Sequence, residues 1–283
     1  MSIKKYFRLV VFPHTVFALP FALIAMVVAA HGFPPARVVL LGLACMVTAR
    51  NSAMAFNRLV DRPYDAANPR TAQRPLPSGE LTSGAVIFFI IINSALFIAA
   101  SYGINTLAFA LSPAALALLF FYSYTKRFTW LSHWVLGLCL GLAPVGSWVA
   151  VTGAIGGPSL ILGGAVVLWV AGFDILYSLQ DMAFDKSVGL LSLPARWGVF
   201  NALWVSRGLH LLCLALFGAF GVAVGLSALY FYGLAAVAAL MSVQHFLVRK
   251  GDLSKMGTAF FTVNGWVSVS MLIMVTFEVF HKR

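Results

Sequence analysis

Acidic side chains are scarce in this chain, and most of them lie in two short windows. Only 8 of the 283 residues are Asp or Glu. Five of these acids fall within residues 57–65 (NRLVDRPYD) and 174–185 (DILYSLQDMAFD), each at the end of a long apolar stretch. An acidic side chain is costly inside a bilayer unless a cation or hydrogen bonds compensate its charge. Two acidic windows placed alike in the two halves of the chain therefore predict a shared cation.

The spacing inside each window is helical. Asn57, Asp61 and Asp65 recur every four residues, which places them along one face of an α-helix. Pro63 removes a backbone hydrogen bond and should kink or end this helix, so Asp65 is expected on the following turn. The second window also forms a helical stripe, whose polar members are Asp174, Tyr177, Asp181 and Asp185.

Paired carboxylates at a membrane surface are suited to binding magnesium and a phosphate-bearing substrate. Magnesium usually takes one or two protein carboxylates and completes its octahedron with waters and phosphate oxygens. The remaining negative charge of such a substrate needs cations nearby. The cations around the windows are Arg58, Arg62, Arg70, Arg74, Lys126, Lys186 and Arg196. This set predicts a Mg2+-dependent site for a lipid diphosphate whose chain lies between helices.

The rest of the chain has the composition of an integral membrane protein. Hydrophobic residues make up 61% and charged residues 10%, and the mean hydropathy is +0.94. Spanning a bilayer takes about 20 apolar residues. The runs that are long enough are 12–30, 38–60, 85–102, 106–124, 133–151, 160–179, 202–224, 228–248 and 257–279. We expect an all-α integral membrane protein with nine transmembrane helices, forming a single domain over residues 1–283.

The basic residues indicate the orientation. By our count 15 of the 19 Lys and Arg residues fall at the N-terminus and around every second loop after it. Arg50 lies within a predicted span, and the residues on the other side are Arg37, Lys282 and Arg283. The positive-inside rule then places the N-terminus and both acidic windows on the cytoplasmic side of the inner membrane. Anionic lipid and an anionic substrate account for the net charge of +11, so no nucleic-acid partner is expected.

Both windows resemble the motifs of a known family. N-x-x-x-D-x-x-x-D at Asn57–Asp65 and D-x-x-Y-x-x-x-D at Asp174–Asp181 resemble the two signature motifs of the UbiA-type intramembrane prenyltransferases. The likeness extends to Tyr122-x-x-x-Lys126 and to RPLPSG at Arg74–Gly79. It implies a UbiA-type helical bundle with a central cavity and cytoplasmic aspartate-motif loops. It also implies Mg2+-dependent transfer of a polyprenyl group from a prenyl diphosphate to an aromatic acceptor.

The same resemblance implies roles for individual residues. The metal contacts would come from Asn57, Asp61, Asp65, Asp181 and Asp185, with Asp174 assisting. Diphosphate oxygens would be bound by Asn57, Arg62, Arg74 and Lys126. The residues near the reacting carbon would be Tyr122 and Tyr177. In the implied mechanism the allylic C–O bond ionises, and the electron-rich ring attacks the carbocation and loses a proton.

Arg50 bears on the identity of the acceptor. It lies seven residues before Asn57 and inside the membrane, where an arginine is costly unless it is paired. Its partner is either the carboxylate of an aromatic acid or a wall aspartate such as Asp174, and the sequence favours neither. We adopt the first alternative as a hypothesis, in which Arg50, Asp174 and Tyr122 bind the acceptor.

The residues in and around the two motifs narrow the acceptor to two aromatic acids. These segments resemble the 4-hydroxybenzoate polyprenyltransferases and, within them, a bacterial subgroup linked to menaquinone made by the futalosine route. The resemblance therefore implies 4-hydroxybenzoate or 1,4-dihydroxy-6-naphthoate, in ubiquinone or menaquinone biosynthesis.

Two other functions are compatible with acids in membrane helices. A cation-coupled transporter also places acids in both halves of the chain, but its sites lie near the midplane and need no ring of cations. A lipid-diphosphate phosphatase would share the metal chemistry, yet the sequence shows no His or Ser nucleophile pattern. His133, His210 and His245 show no pairing in the sequence and are interpreted as structural.

Overall fold

The computed structural model describes residues 3–10, 18–249 and 253–281. Every regular element in these ranges is helical. In chain order they are α1 (Ile3–Leu9), α2 (Leu19–Ala29), α3 (Ala36–Val60), α4 (Arg62–Ala67), α5 (Ser83–Ile104), α6 (Thr106–Thr125), α7 (Ser132–Thr152), α8 (Gly157–Ser178), a 3₁₀ turn (Leu179–Asp181), α9 (Met182–Ser187), α10 (Leu193–Ala223), α11 (Ala228–Leu247), a π-helix (Thr258–Val263) and α12 (Asn264–His281).

The predicted membrane spans are confirmed for the described part of the chain. Eight helical stretches are long and apolar enough to cross a bilayer. The remaining predicted span, residues 12–30, falls partly outside the described residues, and its described part is the apolar eleven-residue helix α2. The count of nine is thus approximate, whereas the all-helical membrane class is confirmed.

Local sequence explains where several of these helices begin. A Ser or Thr side chain that accepts a hydrogen bond from a backbone N–H in the first turn stabilises a helix start. Thr82 accepts from the Ala85 N–H at 3.2 Å before α5, and Ser227 accepts from the Leu229 N–H at 3.2 Å before α11. Ser192 does the same for α10. Each of these residues lies directly before the first residue of its helix.

The described residues divide into two compact units. The first contains residues 3–10 and 37–125, and its buried core is formed by Leu9, Ala55, Leu76, Leu81, Val86 and Ile90. Polar contacts join α3 to α5 in this unit, because Asn51 donates to Asn93 at 3.1 Å. The helix α1 is tied to the loop before α5 by Arg8, whose guanidinium donates to both carboxylate oxygens of Glu80.

The second unit contains residues 18–36, 126–249 and 253–281. Its core includes Trp169, which is fully buried against Phe21 at a centroid distance of 5.1 Å. Glycines bring α7 and α8 close together: a Cβ at Gly137 would lie 2.4 Å from the backbone oxygen of Val167. Small residues permit this kind of backbone approach between membrane helices. The approach sets the distance between side chains on α7 and on α8.

Candidate functional site

The first aspartate window lies at a break between two helices. Helix α3 ends at Val60, Asp61 has φ −88° and ψ 3°, and α4 begins at Arg62 with a proline in its first turn. The predicted break at Pro63 is confirmed. The backbone nevertheless keeps helical hydrogen bonds across it, because the Asp65 N–H donates to the Asp61 carbonyl at 2.8 Å. Asn57, Asp61 and Asp65 therefore keep a helical spacing despite the break.

Hydrogen bonds fix the carboxylates of this window. The Asn57 side-chain amide donates to Asp61 Oδ2 at 2.8 Å. Asp65 is buried, and its Oδ1 accepts from the Arg74 guanidinium at 2.6 Å. Its Oδ2 is also buried, but this atom accepts no hydrogen bond from any described residue. A buried carboxylate oxygen without a donor is expensive, so Asp65 is prepared for a ligand that accepts its lone pairs.

The loop after α4 holds Arg74 in place. The Arg74 N–H donates to the Thr71 carbonyl at 3.0 Å, and the Thr71 hydroxyl donates to the Asp65 carbonyl at 3.0 Å. Gly79 closes the loop with φ +78°, a conformation that favours glycine. Leu76 is fully buried, which anchors the loop to the core of the unit. The predicted RPLPSG segment is thus a rigid support for one cation.

The other predicted cations of the first unit have separate surroundings. Arg58 is half-buried, donates to Asn57 Oδ1 at 3.3 Å, and lies within electrostatic range of Asp61 and Tyr122. Arg62 is exposed and donates to the Ser83 hydroxyl at 3.1 Å. Arg50 and Tyr122 are half-buried on α3 and α6 respectively. Arg74 is in direct contact with a window carboxylate, that of Asp65.

The second window repeats the backbone form of the first. Helix α8 tightens into a 3₁₀ turn, Asp181 has φ −99° and ψ 0°, and the six-residue helix α9 follows. This bridge conformation is sparsely populated and common at functional positions. At the end of α9 the Leu190 N–H donates to the Asp185 carbonyl at 2.9 Å, with Gly189 at φ +72°. Those contacts form a Schellman helix end, which fixes the backbone of Asp185.

A lysine lies beside the buried carboxylate of this window. Asp185 is buried, and its Oδ2 lies 3.6 Å from Lys126 Nζ. That oxygen, like Asp65 Oδ2, accepts no hydrogen bond from a described residue. The Leu191 N–H donates to the Lys126 carbonyl at 2.7 Å, so the lysine backbone is joined to the segment that follows α9.

Deeper along α8, Asp174 has a partner that the sequence did not reveal. The interpretation that His133 has no pairing was wrong, because its Nδ1 lies 2.6 Å from Asp174 Oδ2. The residues are 41 positions apart, on the closely packed helices α7 and α8, so no local spacing could indicate the contact. His210 and His245 also form a pair, at 2.9 Å.

Tyr177 lies next to an aromatic side chain that the sequence analysis did not select. The Tyr177 and Phe260 rings have centroids 4.1 Å apart. Phe260 lies in the π-helix before α12, a rare element that often occurs at functional sites. Buried amides hold this π-helix, since Gln244 donates to the Ala259 carbonyl at 3.1 Å and Asn264 donates to the Phe260 carbonyl at 2.9 Å.

The donor set of the two windows fits magnesium. Asp65 and Asp185 each offer a buried carboxylate oxygen that lacks a hydrogen-bond donor. Within the described residues no group of three His, Cys, Asp or Glu side chains could hold a metal ion by itself. Magnesium suits such a sparse set because it keeps waters and binds substrate phosphate oxygens. The residues that could contact magnesium are Asn57, Asp61 and Asp65 in the first window, and Asp181 and Asp185 in the second.

Known proteins resemble this chain over most of its length. The model of the UbiA prenyltransferase family matches residues 18–266. The 4-hydroxybenzoate octaprenyltransferase of Methylococcus capsulatus is 32% identical over 251 residues, which cover 88% of this chain and 85% of that protein. The protein of the same name from Vibrio atlanticus is 30% identical over 252 residues, with 88% and 87% covered.

Solved structures share the fold. The apo structure of a UbiA homolog from Aeropyrum pernix K1 superposes with a TM-score of 0.84 at 34% identity, covering 93% of this chain and 96% of that one. A UbiA homolog from Archaeoglobus fulgidus bound to DMAPP and Mg2+ gives a TM-score of 0.77 at 20% identity, covering 97% and 99%. Motifs, helical architecture and relatives agree: this chain belongs to the UbiA prenyltransferase family, and it is a multi-span membrane prenyltransferase.

Proposed function

We propose that this enzyme transfers a polyprenyl group from a prenyl diphosphate to an aromatic hydroxy acid in a Mg2+-dependent reaction of quinone biosynthesis. The observation that carries the proposal is the repeated form of the two windows. In each, an aspartate in the bridge conformation is followed four residues later by a buried aspartate with one carboxylate oxygen lacking a donor. The named relatives act on 4-hydroxybenzoate, and one structural relative binds DMAPP and Mg2+.

The order of residues along α8 and α9 supports the proposed reaction. Asp185 and Asp181 would bind the leaving diphosphate, Tyr177 would lie beside the reacting carbon, and Asp174 would contact the acceptor. Seven residues separate Asp174 from Asp181, which corresponds to about 10 Å along a helix axis. That distance leaves room for an allylic carbon between the diphosphate and an aromatic ring.

The chain's own groups would stabilise the charge that develops on the leaving group. Arg74 and Lys126 lie beside the buried carboxylates, so each can share its charge with a bound diphosphate. Bound magnesium would neutralise the diphosphate and make it a better leaving group. As the allylic C–O bond breaks, its electron pair goes to the diphosphate. The ring then forms the new C–C bond and releases a proton.

Aromatic rings would protect the carbocation until the acceptor attacks. The Tyr177 and Phe260 rings are packed together in the second unit, and aromatic faces stabilise cations. Phe260 is buried and Tyr177 half-buried, so this wall excludes water on one side. Water near the allylic cation would give a prenyl alcohol instead of the prenylated ring.

The acceptor is an aromatic acid, 4-hydroxybenzoate or 1,4-dihydroxy-6-naphthoate, and these lead to ubiquinone and menaquinone respectively. We propose that Arg50 binds the acceptor carboxylate, with Tyr122 nearby. Arg50 is half-buried in α3, where a permanent positive charge suits an anionic ligand. Arg62 is the predicted diphosphate ligand with the weakest support, since it is exposed and donates to Ser83.

We also propose the inner membrane as location, with the N-terminus and both windows on the cytoplasmic side, as the distribution of basic residues predicts. Residues 1–283 would act as one catalytic domain, which the match of a single family model to residues 18–266 supports. Family membership favours this enzyme over a cation-coupled carrier or a lipid-diphosphate phosphatase.

The test is prenyl transfer in membranes that contain the protein. Radiolabelled geranyl diphosphate and Mg2+ are mixed with 4-hydroxybenzoate in one reaction and 1,4-dihydroxy-6-naphthoate in another. We expect label on one of the two rings, and its loss with Asp61→Ala or Asp181→Ala. Glu80→Ala is the matched control, an acid outside the windows that pairs with Arg8. Release of free prenyl alcohol alone, with either acid present, would support the phosphatase.

A further inference from the structure

We propose that His133 is a positioning residue that holds Asp174 so that Asp174 Oδ1 receives the phenolic O–H of the acceptor. This inference rests on the proposed function and names which end of the acceptor faces α8. His133 lies at the start of α7 and Asp174 on α8, and both belong to the second unit.

The contacts of His133 determine where its proton lies. The side chain is fully buried, and its Nε2 accepts a hydrogen bond from the Leu193 N–H at 3.4 Å. A backbone N–H can only donate, so Nε2 carries no proton. Nδ1 therefore donates a hydrogen bond to Asp174 Oδ2 at 2.6 Å. This contact fixes the orientation of the carboxylate.

The other oxygen of Asp174 remains available. Oδ2 is bound by His133, and no described residue donates to Oδ1. The side chain of Asp174 is 16% exposed, so part of it borders accessible space on a mostly apolar helix. A partly buried carboxylate of this kind is stabilised by a strong donor. The donor has to come from a ligand or from water.

A phenolic hydroxyl satisfies this requirement better than the other end of the acceptor. The carboxylate of an aromatic acid carries the same charge as Asp174 and would be repelled. The hydroxyl donates a charge-assisted hydrogen bond to a carboxylate. Asp174 lies three residues from Tyr177 on α8, so the two share a helix face. A ring held by its hydroxyl at Asp174 would lie beside the aromatic pair of Tyr177 and Phe260.

The support for this orientation is built into the packing. His133 and Asp174 lie on α7 and α8, whose backbones approach each other closely at Gly137. The Leu193 N–H fixes the far side of the ring from the first turn of α10. Three helices thus determine one carboxylate rotamer, as expected for a group that must meet a substrate at a fixed distance.

The experiment compares hydroxyl recognition between variants. The acceptor that the wild-type enzyme prenylates and its O-methyl ether are compared through KM for the acceptor and Ki for the ether. The variants are His133→Leu, which removes the donor, and His133→Asn, whose amide can replace Nδ1–H. Tyr230→Phe removes another buried hydrogen bond of the same unit, to the Phe217 carbonyl, and serves as the control.

We expect His133→Leu to lower the preference for hydroxyl over methoxy about tenfold. His133→Asn and Tyr230→Phe should keep that preference within about threefold, and KM for the prenyl diphosphate should stay within about twofold in all variants. If His133→Leu does not fold, Asp174→Asn gives the same readout. His133 would then donate to the Asn oxygen and leave an N–H₂ facing the acceptor, so the preference should also fall.

Two results would overturn the inference. An unchanged hydroxyl preference in both His133→Leu and Asp174→Asn would show that Asp174 does not bind this group. A selective rise in KM for the prenyl diphosphate, or in the Mg2+ requirement, would instead make Asp174 part of the metal site. Absence of transfer by the wild-type enzyme to any aromatic acid would refute the proposed function itself, an outcome visible before any variant is compared.

Discussion

The two aspartate windows have the same backbone form, but their surroundings differ. Asp61 and Asp181 both have φ near −90° and ψ near 0°, and each precedes a six-residue helix with a buried aspartate. In the first window the partner cation is Arg74, nine residues after Asp65 and in direct contact with it. In the second it is Lys126, 59 residues before Asp185 and 3.6 Å from it.

The windows also differ four residues before the bridge aspartate. Asn57 occupies this position in the first and donates to Asp61. Tyr177 occupies it in the second and packs on Phe260. The motif residues of the first window are therefore all polar, which suits the leaving group in the proposed reaction. The second window continues along α8 to an aromatic pair and to Asp174, so in that reaction it would contact the leaving group, the reacting carbon and the acceptor in turn.

The largest expected effect tests whether the two windows, which share a backbone form, both stabilise the leaving diphosphate. Asp61→Ala and Asp181→Ala should each lower kcat by about 100-fold to 1,000-fold, because each removes stabilisation of the leaving group. The double variant should lose little more than either single one, since both act in one step. Initial rates of label transfer measure this. Near-full activity in either single variant would show that its window is dispensable.

The next effect separates the two cations. Arg74→Lys should lower kcat/KM for the prenyl diphosphate about tenfold, because lysine cannot reproduce the planar guanidinium contact with Asp65. Lys126→Arg should stay within about threefold, because Lys126 Nζ lies beyond hydrogen-bond distance of Asp185 and its charge is sufficient. Initial rates at several prenyl diphosphate concentrations give kcat/KM for the two variants. Equal losses for both exchanges would contradict the difference between the windows.

A smaller effect concerns the residues four positions before each bridge aspartate. Asn57→Ala should lower kcat about fivefold, since it removes a hydrogen bond to Asp61 with a net value of about 1 kcal/mol. Tyr177→Phe should stay within about twofold, because the ring stacked on Phe260 remains. Tyr177→Leu provides the contrast and should increase the share of free prenyl alcohol. A larger loss for Tyr177→Phe than for Asn57→Ala would assign a role to the tyrosine hydroxyl.

The smallest expected effect is on Tm, and it concerns Gly79 and Gly189, the glycines that end the segments after the two windows. Gly79→Ala and Gly189→Ala place a side chain at φ +78° and +72°, where the strain is about 1 kcal/mol. Neither new Cβ would have a heavy atom within 4 Å. Both variants should therefore lower Tm in detergent by a similar few degrees. Gly84→Ala, at an open helical position, should leave Tm unchanged or raise it.

Much of the fold could be predicted from the sequence because membrane helices must satisfy their backbone groups internally. Runs of apolar residues long enough to span therefore had one structural solution, and eight of them are helices in the described ranges. The break after Val60 was also local, since Pro63 lacks the N–H that a continuing helix needs. The exact ends differ from the predicted ones by a few residues.

The contacts inside the site depended on packing and could not be predicted from spacing. The distance from Arg74 to Asp65 is set by the folded loop between them. The distance from His133 to Asp174 is set by the close approach of two glycine-containing helices. No local pattern in the sequence predicts the π-helix before α12. This element depends on contacts made in the folded protein by the buried amides of Gln244 and Asn264.

Helix α2 has a consequence for the order in which the protein can be assembled during translation. It belongs to the second unit, although residues 37–125 of the first unit follow it along the chain. Phe21 packs on Trp169 and on Phe217, and α2 as a whole lies against α7 and α12. The early-synthesised helix α2 therefore cannot complete its contacts until α12 has also been synthesised. The first unit, continuous from residue 37 to 125, can gather its helices in the meantime.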